Sequence, residues 1–296
     1  MIENDSQTRF LLPRAGVRGV CVRLQDTWRD ILSHASYPEN ARELVGQSCA
    51  AAALFTGHAK VNGRLSLQLR SRHPALRTLF AECTAQDTVR GIAQVTEGMD
   101  VPQDLHQLGD DALLAITIEN PGLDPREPQR YQSLVPLQAG NLSEAFEGYF
   151  RQSEQLPTRL LLAADGGVAA GMMLQKLPGD EGDGDGWTRV GALFDTLSPV
   201  ELLVLPASEL LHRLFHEEQP QTLAQRQLRF ACSCSRERVA SMLHSLGIAE
   251  ARAALADGEA EVRCEFCGQR YLFSPAGIEE LFVSPPVGIQ APERLQ

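Results

Sequence analysis

Apolar and polar residues alternate along the first part of the chain with more than one period. In residues 20–24 and 65–69 an apolar side chain recurs at every second position, which predicts half-buried β-strands. Residues 38–55 instead predict a helix, which begins at a proline and is soon followed by a glycine. Because strand patterns outnumber helical ones, we expect an α+β fold with a strand-rich N-terminal α/β domain over residues 1–177.

Five further segments of this region have the composition and alternation of strands. They are residues 88–95, 113–118, 130–135, 160–164 and 168–174. The last two flank Asp165-Gly166-Gly167, a sequence typical of a hairpin turn. Residues 141–151 predict a helix, because their apolar side chains share one helical face.

Residues 178–186 form an acidic, glycine-rich segment with four carboxylates and four glycines. Such a composition is typical of a flexible boundary between domains. Glu181, Asp183 and Asp185 match the first ligand positions of an EF-hand calcium loop. Ala192, however, stands where that loop needs its bidentate carboxylate. The sequence therefore favours a solvated linker over a calcium site.

Residues 187–218 are unusually rich in leucine and predict helices. With the acidic segment they belong to a predicted flexible and helical linker region over residues 178–230. An apolar helical stripe normally packs permanently against a neighbouring domain. It is also suited to conditional burial, in which it becomes available to other proteins once it is released. The candidate binding residues are Leu202, Leu203, Leu210, Leu211, Leu214 and Phe215.

Composition and charge exclude several classes of protein. The chain has 296 residues, with 27 lysines and arginines against 38 aspartates and glutamates, and a formal net charge of −11. This acidic balance argues against a general nucleic-acid binder. No apolar run is long enough for a secretory signal or a membrane span. We therefore expect a soluble cytoplasmic protein without nucleic-acid or membrane partners.

The cysteines carry the strongest chemical signal in the sequence. Four of the seven lie in two close pairs in the C-terminal part of the chain, one C-x-C and one C-x-x-C. Four thiolates in two pairs are typical of a tetrahedral zinc site. Most four-cysteine sites only hold a fold together, and the spacing leaves that interpretation open. The predicted zinc ligands are Cys232, Cys234, Cys264 and Cys267.

Other classes of function find less support. Residues 228–273 contain six arginines and six acidic residues, so no basic patch for nucleic acid emerges. The chain has no Walker-type phosphate loop, no H-E-x-x-H and no G-x-S-x-G sequence. A C-x-x-C oxidoreductase would turn over a disulfide substrate, and we expect no such turnover. We therefore predict that the protein is not an enzyme.

Several stretches of the sequence together resemble the 33 kDa chaperonin family, the redox-regulated heat-shock holdases of bacteria. They are residues 153–159, 205–207, Arg213, 216–218, 232–238 and 264–273. The resemblance spans both halves of the chain, and its pairing of C-x-C with C-x-x-C is highly specific. It implies a compact N-terminal domain, a linker of metastable helices and a zinc-binding redox-switch domain over residues 231–296.

The resemblance also implies how the switch works. In the reduced form the four paired cysteines hold Zn²⁺ and the chaperone is inactive. Oxidation forms the bridges Cys232–Cys234 and Cys264–Cys267, releases zinc and unfolds the switch domain. The apolar surface exposed in this way binds unfolding client proteins without ATP, and a homodimer of the oxidised form is a further expectation.

The cysteines outside the two pairs match no switch position of the family and receive no predicted role. They are Cys21, Cys49 and Cys83. The competing interpretation of the whole chain is a constitutive, zinc-stabilised protein-interaction module without redox switching. In that case the leucine-rich helices stay buried whatever the redox state.

Overall fold

A computed structural model describes residues 4–59, 61–122, 128–179, 182–256 and 258–283. The chain divides into two compact units, unit 1 with Met1–Ala231 and unit 2 with Cys232–Gln296. Unit 1 therefore contains the predicted linker region 178–230 together with the predicted N-terminal domain. The boundary between those two parts stays a prediction.

The strands and helices of unit 1 follow one another in groups along the chain. Its strands are β1 Ser6–Leu12, β2 Val17–Leu24, β3 Arg64–Arg70, β4 Leu76–Thr84, β5 Thr88–Val95, β6 Leu113–Asn120, β7 Gln129–Pro136, β8 Thr158–Ala164, β9 Ala169–Lys176, β10 Gln221–Gln227 and β11 Arg229–Phe230. Its helices are α1 Asp26–Ser33, α2 Glu39–His58, α3 Leu142–Tyr149, α4 Gly186–Phe194, α5 Pro199–Val204 and α6 Ala207–Phe215. Short helical turns lie at Leu105–Leu108, Phe150–Glu154 and His216–Glu218.

The strands of unit 1 form two sheets. The first sheet has the order β10-β1-β2-β9-β8 and is antiparallel. The second sheet has the order β11-β5-β4-β3-β6-β7, in which the short β11 runs parallel to β5 and the other pairs are antiparallel. The helix α2 packs against strands of both sheets.

Small residues explain why α2 is buried along most of its length. Residues 50–53 are four consecutive alanines, and all four are fully buried. A helix without a polar face belongs inside a protein, and alanines let both sheets approach it closely. The apolar residues around α2 form the inner cluster, which includes Val20, Val22, Leu54, Leu65, Leu67 and Leu162.

The first sheet is buried on its other face as well. In β9 every residue from Ala169 to Gln175 is buried. Because alternate residues of a strand point to opposite faces, this sheet carries a second apolar surface. The helices α4, α5 and α6 pack on that surface. The resulting outer cluster includes Phe10, Leu12, Val17, Cys21, Met172, Leu174, Val190, Phe194, Leu202, Leu210, Leu211 and Phe215.

The leucine-rich segment 187–218 is helical, as predicted, but two breaks divide it. Ser198 caps α5, because its hydroxyl accepts from the backbone N–H of Glu201 at 3.2 Å. The Glu201 carboxylate in turn accepts from the backbone N–H of Ser198 at 3.1 Å, and Pro199 takes the first helical position. Pro206 stands one position earlier relative to α6, at the N-cap, where no side chain caps the helix. Three short helices result.

An arginine engages the acidic segment before these helices. Arg189 in α4 lies 3.0 Å from Asp183 and 3.7 Å from Asp185. Asp180 and Glu181 lie outside the described residues. Two of the carboxylates that a calcium loop needs therefore have an arginine as partner, and the linker interpretation remains the favoured one.

The α+β class is confirmed, as are the strands predicted from the spacing of apolar residues. The elements that the patterns miss in unit 1 include β1, β4, β10 and α1. β1 escapes the pattern because Ser6, Gln7 and Thr8 are polar and nevertheless buried. Burial of polar residues depends on partners far away in the sequence, which periodicity does not report.

Unit 2 is built around a small sheet. Its elements are α7 Arg236–Leu246, α8 Ile248–Ala253, β12 Leu255–Ala256, β13 Glu259–Arg263, β14 Arg270–Phe273 and α9 Pro275–Val283. The sheet has the antiparallel order β12-β13-β14. The buried residues of its core cluster are Ala240, Leu243, Ala251, Ala260, Phe273 and Ile278. This core is small even for a module of its length.

Candidate functional site

The four predicted zinc ligands lie on two loops of unit 2. Cys232 and Cys234 immediately precede α7. Ser235 fixes the start of that helix, because its hydroxyl accepts a backbone hydrogen bond from the first turn at 3.3 Å. Cys264 and Cys267 lie in the turn between β13 and β14. A helix start and a hairpin turn therefore present the two pairs.

The hairpin turn is held by backbone hydrogen bonds. The N–H of Gly268 donates to the carbonyl of Cys264 at 2.8 Å, and the N–H of Cys264 donates to the carbonyl of Gln269 at 2.9 Å. Gly268 has a φ of +69°, a conformation that favours glycine. The glycine directly after the second cysteine pair is thus part of how the sequence shapes this turn.

The structure brings the four sulfur atoms together. The Sγ atoms of Cys232 and Cys264 are 3.6 Å apart, and those of Cys234 and Cys267 are 3.4 Å apart. All four lie within 4.8 Å of one another. A tetrahedral ion with Zn–S bonds near 2.3 Å needs sulfur atoms about 3.8 Å apart, so this donor set fits zinc.

The electrostatics of the cluster call for a cation. Burial, followed by hydrogen bonds with the neighbouring cysteine sulfurs, raises the pKa of Cys267 to about 12. Four thiolates at these distances repel one another, and a bound cation compensates their charge. Sulfur ligands select soft or borderline metals over calcium and magnesium. The chemistry of the donors is therefore compatible with zinc.

Tyr271 contacts this cluster and is absent from the predicted site residues. Its hydroxyl donates a hydrogen bond to the Sγ atom of Cys234 at 3.1 Å. This hydrogen bond, followed by burial and the charge of the cysteines, raises the pKa of Tyr271 to about 12. Tyr271 and the buried Phe273 share one face of β14, and that alternation is the sequence signal that indicates an inward-facing tyrosine.

The three remaining cysteines lie in unit 1 and are buried there. Burial raises the pKa of Cys83 to about 12 and also raises the pKa of Cys49. Oxidants attack the thiolate and need access to it, so both thiols are poorly placed to react. Cys21 is buried in the outer cluster.

The predicted client-binding residues all belong to the outer cluster or pack against it. Leu203 and Leu214 are partly buried at its edge. The surface that these residues would offer to another protein is therefore closed in this structure. The fully buried residues, each at most 4% exposed, are Leu202, Leu210, Leu211 and Phe215.

Arginine side chains add polar contacts to this covering layer. Arg159 in β8 lies 3.2 Å from Asp195, which follows α4. Arg189 donates to both carboxylate oxygens of Glu218, at 2.6 and 3.0 Å, and so connects α4 with the turn after α6. Glu218 is only 2% exposed. A buried carboxylate needs such a partner, so this pair fixes the two ends of the helical segment to each other.

Relatives of the chain are found by sequence. The model of the family described as Hsp33 protein matches residues 5–274. The 33 kDa chaperonin of Ectopseudomonas mendocina is 42% identical over 299 residues, which cover 98% of this chain and 99% of the relative. The 33 kDa chaperonin of Azotobacter vinelandii is 41% identical over 302 residues, which cover 99% and 100%.

The fold has a solved counterpart as well. The crystal structure of the 33 kDa chaperonin (heat shock protein 33 homolog) from Thermotoga maritima superposes with a TM-score of 0.74 at 23% sequence identity. The superposition covers 94% of this chain and 98% of that one. Among the described residues, no helix combines the length and apolar character that crossing a membrane requires. With a family match over most of its length and relatives that align from end to end, the chain belongs to the Hsp33 family.

Proposed function

We propose that this chain is a redox-regulated, ATP-independent holdase chaperone of the bacterial cytoplasm. The observation that carries the proposal is the convergence of the four paired sulfurs within 4.8 Å in unit 2. Its relatives are named chaperonins, which supports a role in binding unfolding proteins and gives no support to an enzymatic one. The acidic net charge helps to keep a complex with a sticky client soluble.

The reduced state depends on the metal. Cys232, Cys234, Cys264 and Cys267 hold Zn²⁺, which offsets part of their negative charge and closes the fold of unit 2. A small module gains only about 3–5 kcal/mol from its own core, whereas structural zinc contributes about 10–16 kcal/mol in small peptides. Unit 2 therefore unfolds when its cysteines no longer bind the metal.

Oxidation removes the ligands from the metal. Two cysteine thiolates give up two electrons as they form one disulfide, and one peroxide takes these electrons together with two protons to become two waters. Two peroxides oxidise all four cysteines. Because a disulfide sulfur is a poor zinc ligand, each bridge weakens the site, and the second completes the release of zinc.

Activation by unfolding requires the pairing Cys232–Cys234 and Cys264–Cys267, which the family resemblance also implies, because crossed bridges would hold unit 2 closed. The sulfur contacts of 3.4 and 3.6 Å join one pair to the other, across 33 and 32 positions of sequence. Proximity in the folded state thus allows crossed bridges too. As unit 2 loosens, cysteines two or three positions apart remain close, whereas the longer loops become costly to close.

The apolar surface that becomes available is the outer cluster. We infer that unfolding of unit 2 destabilises α4, α5 and α6, which precede it in the chain and pack on the first sheet through the outer cluster. Their release exposes leucines such as Leu210 and Leu211 together with Phe10 on the sheet. Unfolding clients bind these surfaces, and two oxidised chains associate into a homodimer through the same surfaces.

Light scattering of a heat-unfolding client protein tests the proposal without ATP. The zinc-loaded reduced protein is compared with the same protein after peroxide treatment at elevated temperature. Suppression of aggregation only by the oxidised form is expected, and size-exclusion chromatography reports whether that form dimerises. Serine at Cys232, Cys234, Cys264 and Cys267 abolishes the activation by oxidant. If that variant still responds to peroxide, the cysteine switch is wrong.

The matched control replaces cysteines that lie outside the cluster. Cys49→Ala with Cys83→Ala removes two buried thiols of unit 1 and leaves the four paired cysteines unchanged. This variant retains activation by peroxide. Loss of activation in the control would place the sensor in unit 1 instead.

A constitutive interaction module is the second candidate, and the near-complete burial of Leu202 and Phe215 favours it. In that case α4, α5 and α6 cover the first sheet in every redox state. Limited proteolysis over residues 178–235 separates the two candidates. Cleavage that increases after oxidation supports the switch, and cleavage that does not change supports the module.

A further inference from the structure

The strand β10 forms one edge of the first sheet. In that sheet β10 pairs with β1, in a ladder that runs from the pair Ser6 and Gln227 to the pair Leu11 and Gln221. The register shifts after Arg9, so Leu223 is an extra residue in β10, as in a β-bulge. β1 lies directly beside the outer cluster, to which its residues Phe10 and Leu12 belong.

β10 is held by backbone hydrogen bonds to β1 and by two side chains near its C-terminal end. Arg226 lies 3.4 Å from Asp87, and Gln227 donates to the carbonyl of Asn4 at 2.8 Å. Of its seven residues only Ala224 is half-buried, and the other six are exposed. Even Leu223 is 54% exposed. The polar groups of a β-ladder are the same in every sequence, so any extended chain can form the hydrogen bonds that β10 forms. The structure therefore shows this edge occupied by a strand that buries none of the side chains of residues 221–225 fully.

The residues of β10 that share the face of the outer cluster are polar. Paired residues of antiparallel strands point to the same face, so Thr222 lies beside Phe10 and Gln225 lies beside Thr8. Both Thr222 and Gln225 are exposed. Apolar residues at these two positions would extend the apolar face that Phe10 begins on β1, which Thr222 and Gln225 do not do. The edge is thus better matched to an alternating apolar strand than to β10 itself.

The anchors of β10 lie mostly beyond its C-terminal end. Leu228 is 2% exposed, and its N–H donates to the carbonyl of Asp5 at 2.6 Å. The short β11 then pairs with β5, and it ends two residues before Cys232. β10 thus stands in the chain between the leucine-rich helices and the first cysteine pair. Once both neighbours are released, Leu228 and the short β11 are the contacts that still hold the C-terminal end of this strand.

We propose that β10 is a placeholder, and that an extended segment of an unfolding client replaces it as the strand next to β1. This inference rests on the proposed function, because it requires that oxidation release α4, α5, α6 and β10. The partner is a stretch of polypeptide in which apolar residues alternate with polar ones, the pattern of strands exposed by unfolding. Backbone hydrogen bonds to β1 provide affinity for many sequences, and apolar side chains facing Phe10 provide preference.

A peptide pair tests the strand exchange with the full chain. The probe is a fluorescent peptide of alternating valine and threonine, and its twin carries a methyl group on every backbone nitrogen. The twin has the same side chains but cannot donate to a β-ladder. Fluorescence anisotropy is expected to show that the oxidised protein binds the probe at least about tenfold more tightly than the twin. The reduced protein binds neither.

Amide hydrogen exchange locates the binding on β1. Oxidation alone is expected to lower the protection of residues 6–11, because the edge loses its partner strand. Addition of the probe is expected to restore that protection, and addition of the twin is not. The probe is also expected to compete with a heat-unfolding client in the light-scattering assay.

The outcomes separate this inference from the proposed function. Strand exchange is overturned if the oxidised protein suppresses aggregation but binds probe and twin equally. It is also overturned if the probe does not change amide exchange at residues 6–11. In both cases the proposed holdase function is retained. If oxidation changes neither light scattering nor the protection of β1, the proposed function fails and the inference fails with it. Replacing Thr222 and Gln225 by valine gives a second check, because a better-fitting β10 should weaken probe binding to the oxidised protein.

Discussion

Unit 1 and unit 2 of this chain are stabilised in different ways. Unit 1 closes two sheets around α2 and buries a large inner cluster, in which residues such as Leu54 and Leu67 are fully buried. The described residues of unit 2 include six buried ones in its core cluster and four cysteine sulfurs within 4.8 Å of one another. A fold that depends on ligands can be undone by chemistry at those ligands, whereas a large apolar core cannot. The contrast shows where a switch can lie.

Removal of zinc is the strongest test of this contrast. A strong chelator should unfold unit 2 under reducing conditions, because about 10–16 kcal/mol of metal binding is lost from a module with a small core. Amide exchange should become fast in α7, α8 and α9. The inner cluster around α2 should keep its protection. Protection that persists in α7 after complete removal of zinc would mean that the core of unit 2 is sufficient on its own.

A pair of leucine variants compares the two faces of the first sheet. Leu67→Ala in the inner cluster and Leu211→Ala in the outer cluster each remove a buried side chain. Both should lower stability by about 2–5 kcal/mol, Leu67→Ala for the whole of unit 1 and Leu211→Ala for α4, α5 and α6 only. Only Leu211→Ala should therefore give the reduced protein holdase activity in the light-scattering assay.

Urea unfolding supplies the control for this pair. The urea concentration at the midpoint of unfolding of unit 1 should fall for Leu67→Ala. For Leu211→Ala, proteolysis over residues 178–218 should increase. If Leu67→Ala activates the reduced protein as strongly, general destabilisation and not the outer cluster governs client binding.

The buried ion pair of Arg189 and Glu218 should have a smaller effect. Glu218→Gln removes the charge that accepts two hydrogen bonds from Arg189, at a residue only 2% exposed. The loss should destabilise the helical segment by about 1–3 kcal/mol and increase its proteolysis without affecting zinc binding in unit 2. Glu217→Gln is the matched control, since Glu217 is exposed. Equal proteolysis of the two variants would contradict this role for the ion pair.

The sequence is informative where chemistry or periodicity is local. The four paired cysteines are recognisable because their spacing has few other uses, and α2 is recognisable from its unbroken run of small and apolar residues. β1 is not recognisable, because its buried Gln7 finds a partner in the carbonyl of Ala53 at 2.6 Å, on a helix distant in the chain. Partners brought together by the tertiary fold explain why β1 escapes the sequence. They also explain why the alternation in β14 indicates an inward-facing Tyr271 but not its hydrogen bond to a cysteine sulfur.

Removing the hydroxyl of Tyr271 should have the smallest effect of these substitutions. It tests whether a single hydrogen bond to a cysteine sulfur influences the stability of the metal site in unit 2. A thiolate that accepts a hydrogen bond is a weaker nucleophile and keeps its metal longer. Tyr271→Phe removes the donor to Cys234 and keeps the ring. At about 0.5–1.5 kcal/mol for such a bond, peroxide should release zinc roughly two to ten times faster.

A chromogenic chelator measures the rate of zinc release directly. Cobalt bound in place of zinc provides a second signal, because the sulfur-to-cobalt absorption should shift in Tyr271→Phe. Tyr131→Phe changes an exposed tyrosine of unit 1 and should leave both signals unchanged. Phe273→Leu weakens the core beside the same hairpin without removing a donor to sulfur, so it should destabilise unit 2 but keep the cobalt spectrum. An unshifted spectrum in Tyr271→Phe would show that this tyrosine only packs beside the site. The four sulfurs would then determine by themselves how readily peroxide releases the metal.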